Sequence, residues 1–215
     1  SRSVLLDDAA ERTRPQLILL EDGRRMLFFI GNRNSGNALN DMALFYTVYE
    51  NGEWSTPEMI SDDGTMDTNP AVLYKNGKAV VAWVDANKKF TESDSNFDKL
   101  NSLGISVAVY ENGAFGEEIT LVDDEFFNFA PQLDLIDDKL YCSYMKRDIS
   151  GVKTEEGLLD LTATYSTMAY VICDVPTRTV DSKGFITVKH PTLIDPLVFD
   201  YESEAVSVHG KNYIL

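Results

Sequence analysis

The chain repeats itself, and this repeat constrains its fold more than any other feature of the sequence. Laid against itself at an offset of 61 residues, the sequence matches without a gap. The hexapeptide YENGEW at 49–54 falls on YENGAF at 110–115, and Pro70 falls on Pro131. Each copy is rich in short β-type runs and is too small to bury both faces of a sheet alone. The copies are therefore expected to stack on one another.

Further copies flank this pair. The segment 14–32 matches 69–87 at an offset of 55 residues, and a last copy is only begun at the end of the chain. Repeats of this period and β content predict an all-β fold, a β-propeller built from four-stranded antiparallel blades. The prediction is a single domain over residues 1–215 with about three and a half blades, at approximately 14–68, 69–129, 130–203 and, in part, 204–215.

An arc of this size does not close a ring. We therefore expect the chain to be part of a larger propeller of about six to eight blades. The remainder would come from another segment, from a second fragment or from a partner copy, because the flanks of an open arc expose apolar surface and unpaired strands.

Four strands are predicted in each copy, because apolar and β-branched runs alternate with turn residues. The first strand follows a proline, which has no amide donor and suits the start of a strand. First strands are predicted at 16–20, 71–75 and 132–136, and second strands at 26–30, 79–84 and 139–145. Third strands are predicted at 42–49, 105–110 and 163–173, and short fourth strands near residues 59, 119 and 192.

The repeated hexapeptide is predicted to form the turn between the third and fourth strands. Its Asn-Gly pair, at 51–52 and at 112–113, accepts the positive φ angles of a tight hairpin. Trp54 and Phe115 then follow as aromatic side chains, which we expect to be buried at equivalent positions of adjacent blades. This structural interpretation is favoured over a binding role for the motif.

Composition excludes several classes of partner. With 19 Lys and Arg against 35 Asp and Glu, the chain has a formal net charge of -16, so its surface would repel nucleic acid and anionic lipid. Its longest apolar runs are far shorter than the roughly 20 residues of a membrane helix, so no membrane insertion is predicted. The chain opens with SRSVLLDD, and we expect any signal peptide to be removed or to lie outside this sequence.

Cysteine and histidine give no sign of a metal site. Cys142 and Cys173 are expected to be buried as small apolar residues, with a cross-strand disulfide as the alternative. His190 and His209 stand apart from any ligand spacing that zinc requires.

The segment TVYENGEWSTP at 47–57 resembles the Asp-box (BNR repeat) turn of sialidase-like β-propellers. Five of its positions fit that pattern, namely Thr47, Gly52, Trp54, Ser55 and Pro57. Tyr49 stands where the family has its Asp, so the motif is a degenerate version. The stretch 52–72 is also similar to repeats in large surface proteins of bacteria, which implies an extracellular or cell-surface location.

The resemblance allows a test for catalysis. A sialidase-like enzyme uses an arginine triad, a Tyr nucleophile with a Glu partner, and an Asp acid/base. The family's first arginine corresponds to Thr13, between Arg12 and Arg14, and the loop at 31–40 that should carry the acid/base contains no carboxylate. Arg33 matches an arginine that the family often has after its second strand. Because the first arginine and the acid/base carboxylate are missing, the comparison with the family implies a propeller without catalytic activity.

Polar residues occupy the loops that enter each first strand and leave each second strand. Such loops converge near the axis of a propeller, and their amides, carboxylates and guanidinium groups suit sugar hydroxyls or a peptide. Arg33, Asp85 and Arg147 are predicted to point into one common depression, with Lys146 in the same loop as Arg147. The candidate ligand-binding residues are Arg14, Asn32, Arg33, Asp67, Asn69, Asp85, Asn87, Asn128, Arg147 and Asp148.

The long loop at 87–103 carries oxygen-bearing side chains at alternating positions, Glu92, Asp94, Asn96 and Asp98. This spacing could bind calcium, but the loop lacks the central glycine and terminal Glu of an EF-hand. A solvated loop is the favoured interpretation, and no other cofactor is predicted.

Three hypotheses about function follow. The first is a non-catalytic glycan- or peptide-binding module of an extracellular bacterial surface protein, with a carbohydrate or protein ligand. The second is a sialidase-like glycoside hydrolase, and the third is an architectural protein-interaction domain.

Overall fold

The computed structural model describes residues 14–152, 154–155, 158–159, 161, 164–186, 205–208 and 211–214. Its elements are antiparallel strands and one short helix, so the predicted all-β fold is confirmed. In the part of the chain that the structure describes, no helix has the length and apolar character needed to cross a membrane.

Blade one is a sheet in the order β1-β2-β3. Its fourth strand is split, because two short strands separated by residues 55–57 both pair with β3. The turn before them has positive φ at Asn51 (55°) and Gly52 (92°), as the hairpin prediction requires. The strands of this blade are β1 (Gln16–Leu19), β2 (Arg25–Asn32), β3 (Met42–Glu50), β4 (Glu53–Trp54) and β5 (Glu58–Met59).

Blade two repeats this plan. Its sheet runs β6-β7-β8-β10, and β9 also pairs with β8. The long loop between β7 and β8 contains α1, whose first turn is closed by a capping box between Ser95 and Asp98. The elements are β6 (Asp67–Lys75), β7 (Lys78–Ala86), α1 (Asn96–Asn101), β8 (Leu103–Glu111), β9 (Ala114–Phe115) and β10 (Ile119–Val122).

Blade three has the order β11-β12-β15-β16, with a separate two-stranded sheet, β13-β14, between β12 and β15. The blade's strands are β11 (Phe127–Ile136), β12 (Lys139–Arg147), β15 (Ser166–Asp174) and β16 (Thr179–Phe185). The small sheet consists of β13 (Thr154–Glu155) and β14 (Leu158–Leu159), and a further hairpin pairs β17 (Ala205–Val208) with β18 (Lys211–Ile214).

The fourth strand of blade three differs from the prediction. It forms directly after the third strand at Thr179–Phe185, whereas the predicted position near residue 192 lies outside the described residues. The third strand also begins later than residue 163. The sequence here has no counterpart of the Asn-Gly turn that marks this position in the other two blades, and the chain reverses instead at 175–178.

The two prolines of the repeat lie inside strands rather than at their starts. Both β6 and β11 begin before the proline, and each has a register shift across it, between Thr68 and Ala71 and between Phe129 and Gln132. The residue before each proline has positive φ, 47° at Asn69 and 52° at Ala130. A β-bulge accommodates a residue that cannot donate to the ladder, so the prediction that these strands start after the proline is wrong.

Apolar side chains fill the spaces between the blades. Strand β7 is buried on both faces, because Val81 and Trp83 pack with the core of blade one while Val80 and Val84 pack with that of blade three. This is the packing expected of a sheet that lies between two others.

The repeated aromatic residue is half-buried in both blades, whereas the sequence predicts full burial. Phe115 contacts the rings of Phe28, Tyr46 and Tyr110, so it packs between blades one and two. Trp54 contacts the ring of Tyr49 in its own blade. Blade one has a blade on one side only among the described residues, which explains why Trp54 is less enclosed than predicted.

The cysteines are buried and free, as the favoured interpretation predicts. The disulfide alternative is wrong, because the register sets Cys142 opposite Val171 and Cys173 opposite Leu140.

Candidate functional site

Three carboxylates from two blades meet in an acidic cluster, which we define as Asp63, Asp85 and Glu118. One oxygen of each lies within 4.8 Å of an oxygen of the other two. Asp63 belongs to the connection between β5 and β6, Asp85 lies near the end of β7, and Glu118 directly precedes β10. The cluster therefore sits beside the interface between blades one and two.

Hydroxyl groups hold the acidic cluster in place. Thr65 Oγ1 lies 2.7 Å from Asp63 Oδ2 and 3.0 Å from Asp85 Oδ1. Ser106 Oγ donates to the other oxygen of Asp85 at 3.1 Å, and Ser61 Oγ donates to Glu118 at 2.5 Å. Each carboxylate thus keeps a fixed orientation relative to the other two.

Arg33 and Asp67 lie beside the acidic cluster. The Arg33 side chain is only 4% exposed; its Nη2 donates to Thr65 O at 2.7 Å and lies 4.0 Å from Asp67 Oδ2. Asp67 Oδ2 also accepts from Leu44 N at 2.9 Å. Among the described residues, Asp67 Oδ1 is buried and has no hydrogen-bond partner.

Burial and neighbouring negative charge raise the pKa values of two carboxyl groups here. The pKa of Asp67 is raised to about 7, chiefly because the group is buried and further because Asp63 is close. The pKa of Asp85 is also raised, first by burial and then by Glu118. Arg33 and Lys89, whose Nζ lies close to Gly64, are the cations beside this group, so the carboxylates outnumber the neighbouring cations.

At the equivalent position between blades two and three, the negative charge of the carboxylate is neutralised by a lysine. The register pairs Asn128 with Lys146 as it pairs Asp67 with Asp85, and the repeat aligns Asp124 with Asp63. Lys146 Nζ lies 2.5 Å from Asp124 Oδ2, and Asn128 Nδ2 donates to Asp124 Oδ1 at 2.9 Å. An ammonium group and an amide thus stand where the first interface has two carboxylates.

A groove of about 180 Å³ opens beside this second network. Phe185 forms one wall and is 61% exposed, while the buried Tyr144 lies deeper in the groove. Lys146 Nζ is 4.1 Å from the centre of the Phe126 ring and 6.0 Å from that of Phe185. The polar and aromatic side chains that line the groove are Asp123, Asp124, Tyr144, Lys146, Lys183 and Phe185.

The structure distributes the sequence-predicted site residues over several places. Arg33, Asp67 and Asp85 come together around the acidic cluster. Asn128 joins the second network, and Asn87 Nδ2 donates to Asp123 Oδ1 at the groove, at 2.6 Å. The remaining exposed candidates are Arg14, Asn32, Asn69 and Asp148.

The predicted common depression for Arg33, Asp85 and Arg147 is wrong. Arg147 is buried, donates from Nε to Ser166 Oγ at 2.9 Å and lies over the ring of Phe129. The position equivalent to Asp85 is Lys146, one residue earlier. Since successive side chains of a strand point to opposite faces, Arg147 faces away from the network that Lys146 joins.

Several other residues that the sequence predicts to bind a ligand take part in turns, a bulge or an ion pair instead. Asp148 Oδ1 accepts from Ser150 N in a turn, and Asn69 provides the positive φ of the bulge in β6. In the long loop, Asp94 pairs with Lys88 at 2.8 Å.

In the long loop, for which calcium binding was the less favoured alternative, Glu92, Asp94 and Asp98 form no converging carboxylate group among the described residues. Besides the Asp94 pair, Asp98 caps α1, and Glu92 and Asn96 are exposed. Among the described residues, the carboxylates that converge are those of the acidic cluster instead.

Sequence reasoning did not identify Asp63, Glu118, Asp124 or Phe185 as site residues. A signal for two of them was present, because the Asp-Asp pair at 62–63 recurs at 123–124. Phe185 lies in a strand that the repeat does not align.

No protein-family model matches the chain, and no curated protein matches it. Several solved structures, in contrast, are similar to the chain. A Trypanosoma rangeli sialidase in complex with the inhibitor DANA is 11% identical, with a TM-score of 0.53, over 94% of this chain and 34% of that one. A GH43 β-xylosidase/α-arabinofuranosidase from a compost microbial metagenome, in complex with xylotriose, is 16% identical, with a TM-score of 0.52, over 96% of this chain and 64% of that one.

A Penicillium chrysogenum α-L-arabinanase complexed with arabinobiose is 12% identical, with a TM-score of 0.51, over 83% of this chain and 51% of that one. The chain thus spans less than two thirds of the length of each of these structures. At such low identity the similarity shows the fold alone. The chain has the blades of a β-propeller, the fold that it shares with these glycoside hydrolases and the sialidase.

Proposed function

We propose that this chain is a carbohydrate-binding β-propeller module without catalytic activity, and that the groove between blades two and three is its binding site. The observation that carries the proposal is the groove itself, in which an exposed aromatic ring faces a fixed pair of opposite charges. Phe185 provides the ring, and Asp124 and Lys146 provide the charges.

This combination suits a sugar because a pyranose or furanose ring has apolar C–H faces and polar hydroxyl edges. Phe185 offers an apolar surface for stacking, while Asp124 accepts and Lys146 donates hydrogen bonds. The groove is smaller than the roughly 300–1,000 Å³ of sites for drug-sized ligands. It therefore suits one sugar residue, with the rest of an oligosaccharide lying along the surface.

The solved structures support the same class of ligand. Two of them are complexes with arabinobiose and with xylotriose, and the third is a sialidase. A peptide ligand is the second option for this groove. An extracellular or cell-surface location, which the resemblance to bacterial surface repeats implies, belongs to the same proposal.

A glycoside hydrolase is the alternative function, and the carboxyl groups around the acidic cluster favour it. A glycosidase needs one carboxylic acid with a raised pKa and a second carboxylate nearby. Asp67 and Asp85 have raised pKa values, but they are only 1% and 7% exposed. Since a general acid has to reach the glycosidic oxygen, this burial favours binding over hydrolysis.

A glycan array tests the proposal, with the Phe185→Ala variant as the comparison. We expect the unmodified chain to bind a defined set of oligosaccharides and Phe185→Ala to lose about tenfold or more in affinity, as a central aromatic contact does. Tyr165→Ala is the matched control, because Tyr165 is an exposed aromatic residue outside the groove. Binding that Phe185→Ala leaves unchanged would contradict the assignment of the site.

Hydrolysis assays test the alternative. Fluorogenic sialosides, arabinofuranosides and xylosides should give no turnover above the rate without protein. Turnover that Asp85→Asn abolishes would establish the hydrolase instead.

A further inference from the structure

The acidic cluster has an excess of negative charge that its surroundings do not balance. Asp63, Asp85 and Glu118 converge, and Asp67 lies beside them. Two cations are near these four carboxylates, namely Arg33, which is 4.0 Å from Asp67, and Lys89, whose Nζ lies close to Gly64. Arg33 donates to the carbonyl of Thr65, and within the described residues its ion pairs are with Asp62 and Asp67 rather than with a member of the cluster.

The interface between blades two and three has a positive charge beside its carboxylate, whereas the interface between blades one and two has a further carboxylate there. Asp63 and Asp124 occupy equivalent positions of the repeat. Between blades two and three, the Lys146 ammonium lies directly against Asp124. Between blades one and two, the position of Lys146 is taken by Asp85, so a second carboxylate stands where the other interface has a positive charge.

Asp67 provides an independent observation. Its side chain is 1% exposed, and its Oδ1 has no hydrogen-bond partner among the described residues. Its backbone pairs directly with that of Asp85, so the two side chains lie next to each other on the same face of the sheet. A buried carboxylate oxygen without a donor is costly unless a proton or a cation satisfies it.

We propose that Asp63, Asp85 and Glu118 bind a calcium ion between blades one and two, with Asp67 as a further carboxylate of the site. The ligands are hard oxygen atoms, which calcium and magnesium prefer. Calcium binds oxygen at about 2.3–2.6 Å, so two ligands on opposite sides are up to about 5 Å apart, whereas for magnesium they are about 4 Å apart. The oxygens of the cluster lie within 4.8 Å of one another, a spread that the coordination sphere of a calcium ion can span.

The role of this ion is to join blades. It would connect the linker that carries Asp63 to strand β7 and to the start of β10, as the Lys146–Asp124 pair does at the next interface. The site is separate from the groove that carries the proposed function, so the two proposals stand or fall independently.

Calorimetry and thermal unfolding of the whole chain test the site. The protein is treated with a chelator and dialysed, and calcium chloride or magnesium chloride is then added. We expect calcium to bind with a stoichiometry of about one and to bind more tightly than magnesium. At a concentration 100-fold above its Kd, calcium should raise Tm by about 5–10 °C for a chain of this length.

Two variants locate the site. Glu118→Gln should weaken calcium binding by about tenfold or more. Asp85→Lys, which copies Lys146, should abolish the calcium response while the chain stays folded, since the ammonium replaces the ion. Asp94→Asn is the matched control, because it removes an acidic side chain from the long loop and should leave calcium binding unchanged.

Terbium luminescence gives a second readout that does not depend on variants. Trp83 lies two residues before Asp85 on the same face of β7, close enough to sensitise a lanthanide in the cluster. We expect calcium to displace the terbium signal. The absence of calorimetric heat, Tm shift and sensitised luminescence in the unmodified chain would overturn the proposal, and so would a calcium response that Asp94→Asn abolishes and Asp85→Lys retains.

Discussion

Truncation of the repeated aromatic residue should destabilise the two blades to different extents. Phe115 is half-buried and contacts three rings, those of Phe28, Tyr46 and Tyr110, at centroid distances of 5.8, 4.9 and 5.3 Å. Trp54, its equivalent in blade one, is also half-buried but contacts the ring of Tyr49.

The structure sets the size of the effect. Truncating a fully buried Phe to Ala costs about 3–5 kcal/mol, so half-burial reduces the term to about 2 kcal/mol. The ring contacts of Phe115 add about 1 kcal/mol in total, which gives about 3 kcal/mol for Phe115→Ala. Trp54→Ala, with the same half-burial but one ring contact, should cost about 2 kcal/mol.

Urea denaturation followed by far-ultraviolet circular dichroism measures both values without relying on tryptophan fluorescence. At about 2–4 °C per kcal/mol, Phe115→Ala should also lower Tm by about 6–12 °C. Phe115→Leu is the control, and it should recover about half of the loss because it restores apolar volume without the ring contacts. If Trp54→Ala costs as much as Phe115→Ala, or more, then the assignment of Phe115 as the contact between the blades is wrong.

Three further predictions concern buried polar and thiol groups. The side chain of Asn40 accepts a hydrogen bond from Phe90 N and donates one to Phe90 O. Asn40→Ala should therefore lower the free energy of unfolding by about 2–3 kcal/mol in urea denaturation and speed hydrogen exchange at Phe90. Unchanged stability would contradict this role. Cys142 and Cys173 are buried, and burial raises the pKa of Cys142 to about 12. Thiol reagents should therefore label neither cysteine of the native protein between pH 7 and about pH 9. Labelling that rises with pH before the protein unfolds would contradict the burial. Asp67→Asn introduces the residue found at the equivalent position, Asn128, and should raise Tm in the presence of a chelator. The reason is that it removes a buried carboxylate whose pKa is raised to about 7. A lower Tm would show that the charge of Asp67 is compensated in the folded protein.

The fold could be predicted from the sequence because its main signal is local and repeated. The Asn-Gly turns at 51–52 and 112–113 have the positive φ angles that the residue types favour. The position of Pro70 relative to its strand could not be predicted in the same way, because a proline at a strand start and a proline at a bulge look alike in sequence. The register shift across Pro70 depends on pairing with β7.

The site was predicted only in part, for a physical reason. Arg33, Asp67 and Asp85 were identified because all three lie at the ends of strands, where loops converge. Their partner Glu118 directly precedes the fourth strand of blade two, and only the packing of blade one against blade two brings it near Asp63. Contacts of this kind depend on how blades stack rather than on the periodicity of any one blade.

Chemical-shift mapping with an oligosaccharide tests the central claim, that the groove between blades two and three binds carbohydrate. The isotope-labelled chain is titrated with the oligosaccharide that gives the strongest signal on the array, and amide shifts are followed to saturation. The account predicts that the largest shifts fall on Asp123, Lys146 and Phe185 and that they disappear in Phe185→Ala. Shifts centred around Asp85 and Glu118, or no saturable shifts with any carbohydrate, would contradict it.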